Sequence, residues 1–205
     1  MKSTPFPTES QVLTDLGDLV LQRLVSAVDA ARQDYLHYRN EHPNWAADET
    51  KRGSANWIHD RIWSHLRTEL DGFDGVTFID KEPERQFSIR STYVFRVKRH
   101  KDQDCVSSYP TASAMAFWSD RTPTLDVHDV HNLALGYRWD PDARAFGETV
   151  ISYRTEMGVP HWVVELHRGD EATAPVTWGP VQGPVLPTVD LSSALPDLAQ
   201  RQETV

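Results

Sequence analysis

The chain has 205 residues and a formal net charge of −9, and 39% of its residues are hydrophobic while 25% are charged. This composition is typical of a folded globular protein and argues against an intrinsically disordered one. The acidic balance also argues against a general nucleic-acid binder. No stretch approaches the roughly 18 apolar residues of a membrane span, and no secretory signal is visible. With Cys105 as the single cysteine, we expect a cytoplasmic protein without membrane association.

Residues 1–50 predict an amino-terminal helical segment. Apolar residues recur at helical spacing as far as Tyr38, and Thr8 followed by Gln11 resembles a capping box at the start. Pro43 is expected to end this single long helix. Its apolar stripe either packs against the protein's own core or docks a partner or a second copy, so a homodimer through this helix is one expectation.

Residues 51–168 predict an α+β core domain. A second helix at residues 54–72 precedes three strands, and a short helix with Pro110 in its first turn separates them from three more strands. The turns favour a mostly antiparallel sheet with the short helix inserted. Residues 169–205 hold five of the 13 prolines and predict an extended or disordered acidic tail. The predicted strands are residues 75–80, 86–90, 92–98, 130–139, 148–154 and 161–167, and the short helix is 107–118.

The predicted order helix–β–β–β–helix–β is also the core order of restriction-endonuclease-like nucleases. Such a site needs acidic oxygens to hold Mg²⁺ and a lysine that positions water or stabilises developing charge. That family has an acid two residues before the strand lysine, whereas here Arg96 occupies this position before Lys98. Asp80, Glu82 and Lys98 could still form a rearranged site, and they are the candidate catalytic residues. The pattern assigns neither a metal nor a cofactor.

Four cations fall within the six residues from Arg96 to Lys101, which is dense for so acidic a chain. In a strand, alternate side chains share a face, so part of this cluster could bind phosphates or an acidic partner through charge-assisted hydrogen bonds. The alternative is a solvated sheet face whose cations pair with nearby acids and contribute little. The candidate nucleic-acid-binding or anion-binding residues are Arg90, Arg96, Lys98, Arg99 and Lys101.

Histidines give only weak metal-site patterns. His59 and His65 lie on the second helix, while His128 and His131 would point to opposite faces of a strand. Neither pair has the spacing of a zinc protease motif. We expect His65 to be a hydrogen-bonded, semi-buried side chain rather than a metal ligand.

Three stretches, "FRVKRH", "SSYPTASAMAFW" and "LALGYRWDPDA", resemble a group of uncharacterised bacterial proteins. The resemblance covers roughly residues 54–168. Genes of that group often lie beside a regulator that combines an Xre-type helix-turn-helix with an ImmA/IrrE-type peptidase domain. The resemblance implies a two-gene module of toxin–antitoxin, prophage or stress-response type, and it carries over no catalytic residue.

Two functional hypotheses follow. The first is an intracellular, toxin-like effector that acts on nucleic acid or a nucleotide through the basic sheet face around Lys98. The second is a non-enzymatic regulatory or interaction protein, which binds a partner such as the neighbouring regulator or antitoxin through the amino-terminal helix and the carboxyl-terminal tail. Neutralising Lys98 should abolish activity in the first case and be tolerated in the second.

Overall fold

The computed structural model describes residues 6–81, 84–106, 111–119, 130–156, 158–168 and 176–181. These residues form an α+β structure in which helices cover a seven-stranded sheet. None of the helices in this part of the chain is long and apolar enough to cross a membrane. The helices are α1 (Glu9–Leu16), α2 (Asp18–Glu41), α3 (Pro43–Asp48), α4 (Lys51–Glu69) and α5 (Ala112–Trp118). The strands are β1 (Val76–Lys81), β2 (Glu84–Ile89), β3 (Tyr93–His100), β4 (His131–Asp140), β5 (Ala145–Tyr153), β6 (Trp162–His167) and β7 (Thr177–Pro180).

The amino-terminal segment forms three helices, so the prediction of one long helix is wrong. Gly17 has φ of 80°, a value that residues with a β-carbon rarely adopt, and it separates α1 from α2. Pro43 does follow the end of α2, as predicted, but it also starts α3 at a first-turn position that needs no amide hydrogen. Thr8 caps α1 by accepting a hydrogen bond from the Gln11 amide at 3.3 Å.

The apolar stripe of α2 packs inside the protein. Its buried residues join Ile58, Ile62 and Leu66 of α4 in one core cluster with the inward-facing residues of the sheet. Leu19 and Leu36 of α2 lie outside this stripe and are exposed. Most of the area that the stripe could offer to a partner is therefore already buried. The buried residues of α2 are Val20, Leu21, Leu24, Val25, Ala27, Val28, Ala31 and Tyr35.

The strands follow one another in chain order across the sheet. Neighbouring strands are antiparallel except β3 and β4, which are parallel because α5 carries the chain back between them. This confirms the predicted α+β class and the mostly antiparallel sheet with a short helix inserted. The sheet also continues past residue 168, where the predicted core ended, since β7 pairs with β6 as an edge strand.

Helix α5 begins later than predicted. Thr111 is its cap and accepts a hydrogen bond from the Ala114 amide at 3.1 Å, so the first turn starts at Ala112. The prediction that Pro110 lies in the first turn concerns residues 107–110, which lie outside the described residues. A side-chain cap satisfies an amide that would otherwise lack a partner, and threonine supplies it here.

The two faces of the sheet have different coverings. Tyr93, Phe95 and Val97 of β3 belong to the main core under α2 and α4, and we call this side the helical face. Val94 packs instead against a smaller cluster that includes Phe117 of α5, and we call this side the α5 face. The alternation along β3 then assigns every later side chain of that strand to one face or the other.

Gly136 lets β3 and β4 approach closely. A β-carbon at this position would lie 1.7 Å from the Lys98 carbonyl oxygen, far inside the shortest contact that a real side chain makes. The parallel register places Lys98 directly opposite Gly136. The contact between these two central strands therefore requires a residue without a side chain.

Candidate functional site

The three candidate catalytic residues are not brought together by the described part of the chain. Asp80 lies on the helical side of β1, where its carboxylate accepts hydrogen bonds from Trp63 Nε1 (3.2 Å) and Arg85 Nε (3.0 Å). These bonds, led by the one from Trp63, lower the pKa of Asp80. Lys98 lies two strands away on the α5 face, and Glu82 is outside the described residues. Among the side chains that the structure describes, no three His, Cys, Asp or Glu residues group as a metal site would need.

The candidate basic residues divide between the two faces and the two ends of β3. Arg96 lies on the α5 face, with its guanidinium carbon 4.0 Å from the centre of the Phe117 ring. Arg90 lies at the opposite end of β3 from Lys101, in a left-handed conformation, and donates to the Asp15 carbonyl. Only Lys98, Arg99 and Lys101 share the carboxyl end of this strand.

A cleft of about 510 Å³ lies at this end, between the first half of α4 and the carboxyl ends of β3 and β4. Among the described residues that line it are five cations and one carboxylate, Asp102. A group of five cations is notable in a chain whose net charge is −9. We call this site the basic cleft, and its polar and aromatic lining is Lys51, Arg52, Asn56, His59, Lys98, Arg99, Lys101, Asp102, Tyr137 and Trp139.

The amino end of α4 contributes two of these cations. Thr50 caps the helix by accepting a hydrogen bond from the Gly53 amide at 3.0 Å, and Lys51 and Arg52 occupy the first turn. The positive end of a helix dipole favours anions, and a cation there lowers the stability of the helix by about 0.3 to 1 kcal/mol. An anionic ligand in the cleft would reverse this unfavourable charge arrangement.

Arg99 is held in place at the centre of the cleft. Its Nε donates to the Tyr137 hydroxyl at 2.9 Å, and its Nη2 donates to Ser54 Oγ at 3.4 Å. Its guanidinium carbon lies 4.1 Å from the centre of the Trp139 ring. Burial raises the pKa of Tyr137 to about 12, so this hydroxyl stays protonated while it accepts from Arg99. The cation is therefore oriented before any ligand arrives.

Lys98 lines the basic cleft where the cleft meets the α5 face of the sheet. Burial, together with the charges of Arg96 and Arg154, lowers its pKa to about 8. A lysine with a lowered pKa keeps a large protonated fraction at neutral pH, yet it is more easily deprotonated than an exposed one.

A buried polar network on the α5 face was not predicted from the sequence. The fully buried Arg154 donates to Ser152 Oγ at 2.6 Å and to the carbonyls of Asp104 (3.0 Å) and Gly158 (2.9 Å). His100 Nε2 lies 2.8 Å from the same Ser152 hydroxyl, and burial lowers the pKa of His100 to about 3, so its ring is neutral. The network joins β3, β5 and two loops. The sequence signal for it was the i, i+2 spacing of Ser152 and Arg154 at the end of a strand.

A second cleft of about 610 Å³ continues from the basic cleft. The two clefts share Lys101, Asp102 and Trp139 in their linings. In the second cleft the charge of Arg138 is compensated, because Asp104 accepts two hydrogen bonds from it, each of 2.8 Å. We call this site the neutral cleft, and its apolar lining is Trp139, Val159, Pro160, Trp162, Val163 and Val181.

Sequence reasoning missed Lys51, Arg52 and the position of His59 in the cleft. The helix was expected to begin at residue 54, after the two cations, although Thr50 is a favourable capping residue. The predicted role of His65 is confirmed, since its Nε2 lies 2.7 Å from Asp34 Oδ2 and it is half-buried.

No protein-family model, curated protein or solved structure matches this chain. The functional conclusions therefore depend on the geometry and the charges of the sites themselves.

Proposed function

We propose that this protein is a cytoplasmic effector that acts on nucleic acid or a nucleotide, and that it binds the phosphates of this ligand in the basic cleft. The observation that carries the proposal is the concentration of five cations against one carboxylate in a single cleft of an acidic chain. Cations grouped in a concave site focus a positive potential, which attracts anionic ligands and speeds their association.

The positions of the cations support a phosphate ligand over an arbitrary anion. Arg99 contributes a fixed positive charge, since its three guanidinium nitrogens donate to Tyr137, Lys51 and Ser54 and hold it in the cleft. Lys51 and Arg52 stand at the amino end of α4, where backbone amides and the helix dipole also favour phosphate. Trp139 adds an aromatic side chain to the wall of the cleft, with the Arg99 guanidinium over one face of its ring.

The basic cleft is proposed as a binding site for phosphates, and no residue is assigned to a chemical step. In the described residues Asp80 and Lys98 lie on opposite faces of the sheet, so the rearranged nuclease site is not part of the proposal. We also propose the two-gene module, with the neighbouring regulator or antitoxin as partner, on the resemblance alone. The alternative interaction function has less support, because the stripe of α2 is buried in its own core.

Direct binding tests this proposal. The probes are a fluorescein-labelled eight-nucleotide single strand and inorganic pyrophosphate as an unlabelled competitor, with the full-length chain. We expect Arg52→Glu and Lys101→Glu to weaken binding by about fivefold each, since a lost phosphate contact at a cleft is worth about 1 kcal/mol. The matched control is Lys81→Glu, an exposed lysine on the outer strand β1, which should leave affinity within about twofold. Equal affinities for all four proteins would overturn the proposal.

Growth after tightly controlled induction in bacteria tests the effector role. We expect the wild type to arrest growth, and Arg52→Glu with Lys101→Glu to relieve the arrest at matched soluble expression. The Lys81→Glu control should arrest growth like the wild type. Normal growth of all strains would exclude a stand-alone toxin and favour the alternative function, binding of a partner protein.

A further inference from the structure

We infer that the two clefts form one groove for single-stranded nucleic acid, with phosphates in the basic cleft and at least one unpaired base in the neutral cleft. This inference rests on the proposed function and names the ligand class of that same site. The shared residues Lys101, Asp102 and Trp139 make the clefts continuous at the carboxyl ends of β3 and β4.

The size of the groove favours a ligand larger than one nucleotide. The clefts measure about 510 Å³ and about 610 Å³. Each alone falls within the range of roughly 300–1,000 Å³ that accommodates one small-molecule ligand. A mononucleotide therefore fits in one cleft and leaves the other unused, whereas two or more linked nucleotides would fill both.

The two clefts, which meet at Trp139, differ in the charge of their linings. The basic cleft has an excess of cations, whereas in the neutral cleft the charge of Arg138 is compensated by Asp104 and Glu165. There the two lining cations, Lys101 and Arg138, are matched by the carboxylates of Asp102 and Asp104, and the lining also includes two tryptophans and Val159, which is 62% exposed to solvent. A strand of nucleic acid has the matching character, since charged phosphates alternate with flat bases whose faces are apolar.

An unpaired base suits the neutral cleft better than a duplex does. Proteins that bind single strands combine a cationic groove with side chains against which exposed bases stack. In a duplex the faces of the bases are stacked on each other, so only phosphates could reach the groove. The neutral cleft would then contribute nothing to affinity.

The test compares ligands and variants of the full-length chain by fluorescence anisotropy. The ligands are an eight-nucleotide single strand, a duplex of the same sequence, a nucleoside monophosphate and inorganic pyrophosphate. We expect the single strand to bind at least fivefold more tightly than the monophosphate or the duplex. Val159→Glu should weaken single-strand binding about fivefold to tenfold, because it replaces an exposed apolar contact in the neutral cleft with a carboxylate, and it should leave pyrophosphate binding in the basic cleft unchanged.

The matched control is Met115→Glu, because Met115 is 57% exposed on α5 and lines neither cleft. This variant should bind all four ligands like the wild type. Equal binding of single strand and duplex, without an effect of Val159→Glu, would overturn the inference while the proposed phosphate site stands. Failure of all four ligands to bind would overturn both.

Discussion

Replacing Gly136 by alanine should destabilise the protein strongly, because it forces apart the two strands that carry the basic cleft. The new methyl group would lie 1.7 Å from the Lys98 carbonyl oxygen, and real β-carbons essentially never approach other atoms closer than 3.0 Å. The strands must therefore shift by about 1.3 Å at this point, and backbone, unlike a flexible side chain, cannot rotate away.

The expected cost follows from this geometry. Overpacking a well-packed interior costs about 1–3 kcal/mol, and weakened hydrogen bonds between β3 and β4 add about 1 kcal/mol each. We expect Gly136→Ala to lower the free energy of unfolding by about 3 kcal/mol or more. For a chain of this length that corresponds to a Tm lowered by about 6–12 °C.

Urea unfolding followed by tryptophan fluorescence measures this change. The matched control is Gly179→Ala on the edge strand β7, where an added β-carbon meets nothing within 4 Å. That variant should stay within about 0.5 kcal/mol of the wild type. A loss of less than 1 kcal/mol for Gly136→Ala would refute the close parallel pairing of β3 and β4, since about 1 kcal/mol is the lower end of the overpacking range.

Three further predictions concern capping, docking and titration. Thr50→Ala should lower the free energy of unfolding in urea by about 1 kcal/mol, because the Gly53 amide at the start of α4 loses its hydrogen bond to the Thr50 side chain. An unchanged unfolding midpoint would show that this cap does not stabilise α4. Tyr93→Phe should lower the free energy of unfolding by about 1–2 kcal/mol, because the Tyr93 hydroxyl donates to Asp15 Oδ2 at 2.6 Å and links β3 to α1. Equal stability of the two proteins would show that this hydrogen bond contributes nothing. The pKa of Lys98 is about 8 in the folded protein, whereas that of an ordinary lysine is 10.5. Between these two pH values the unfolded chain therefore binds more protons than the folded protein. The free energy of unfolding contributed by Lys98 rises with pH across this window. Lys98→Met should therefore flatten the rise in unfolding free energy from pH 8 to 10.5, and parallel curves for both proteins would be the contrary result.

The regular elements of the core were predictable because their side chains follow the period of the element. The alternation in β3 and the stripe of α2 each reflect burial on one side, which composition and spacing reveal. The break at Gly17 was not predicted, since an isolated glycine within a helical pattern is often tolerated. The parallel pairing of β3 and β4 depends on the path of α5, which local spacing does not encode.

The candidate site was only partly predictable, for a similar reason. The density of cations from Arg96 to Lys101 pointed to the end of β3, where the basic cleft lies. The sequence could not show that Arg99 turns towards α4 while Arg96 turns towards α5, because that depends on which face each helix covers. The contribution of Lys51 and Arg52 comes from contacts between residues far apart in the chain.

The salt dependence of binding tests the central claim most directly. Affinity for the eight-nucleotide single strand is measured at several salt concentrations for the wild type, Lys101→Gln and the control Lys81→Gln. Each phosphate contact contributes about 0.7 to the slope of log K against log salt concentration for a single strand. If the basic cleft binds phosphates, Lys101→Gln should reduce the steepness by about 0.7, while Lys81→Gln leaves it unchanged. Equal slopes for the three proteins, or a slope near zero for the wild type, would contradict the account.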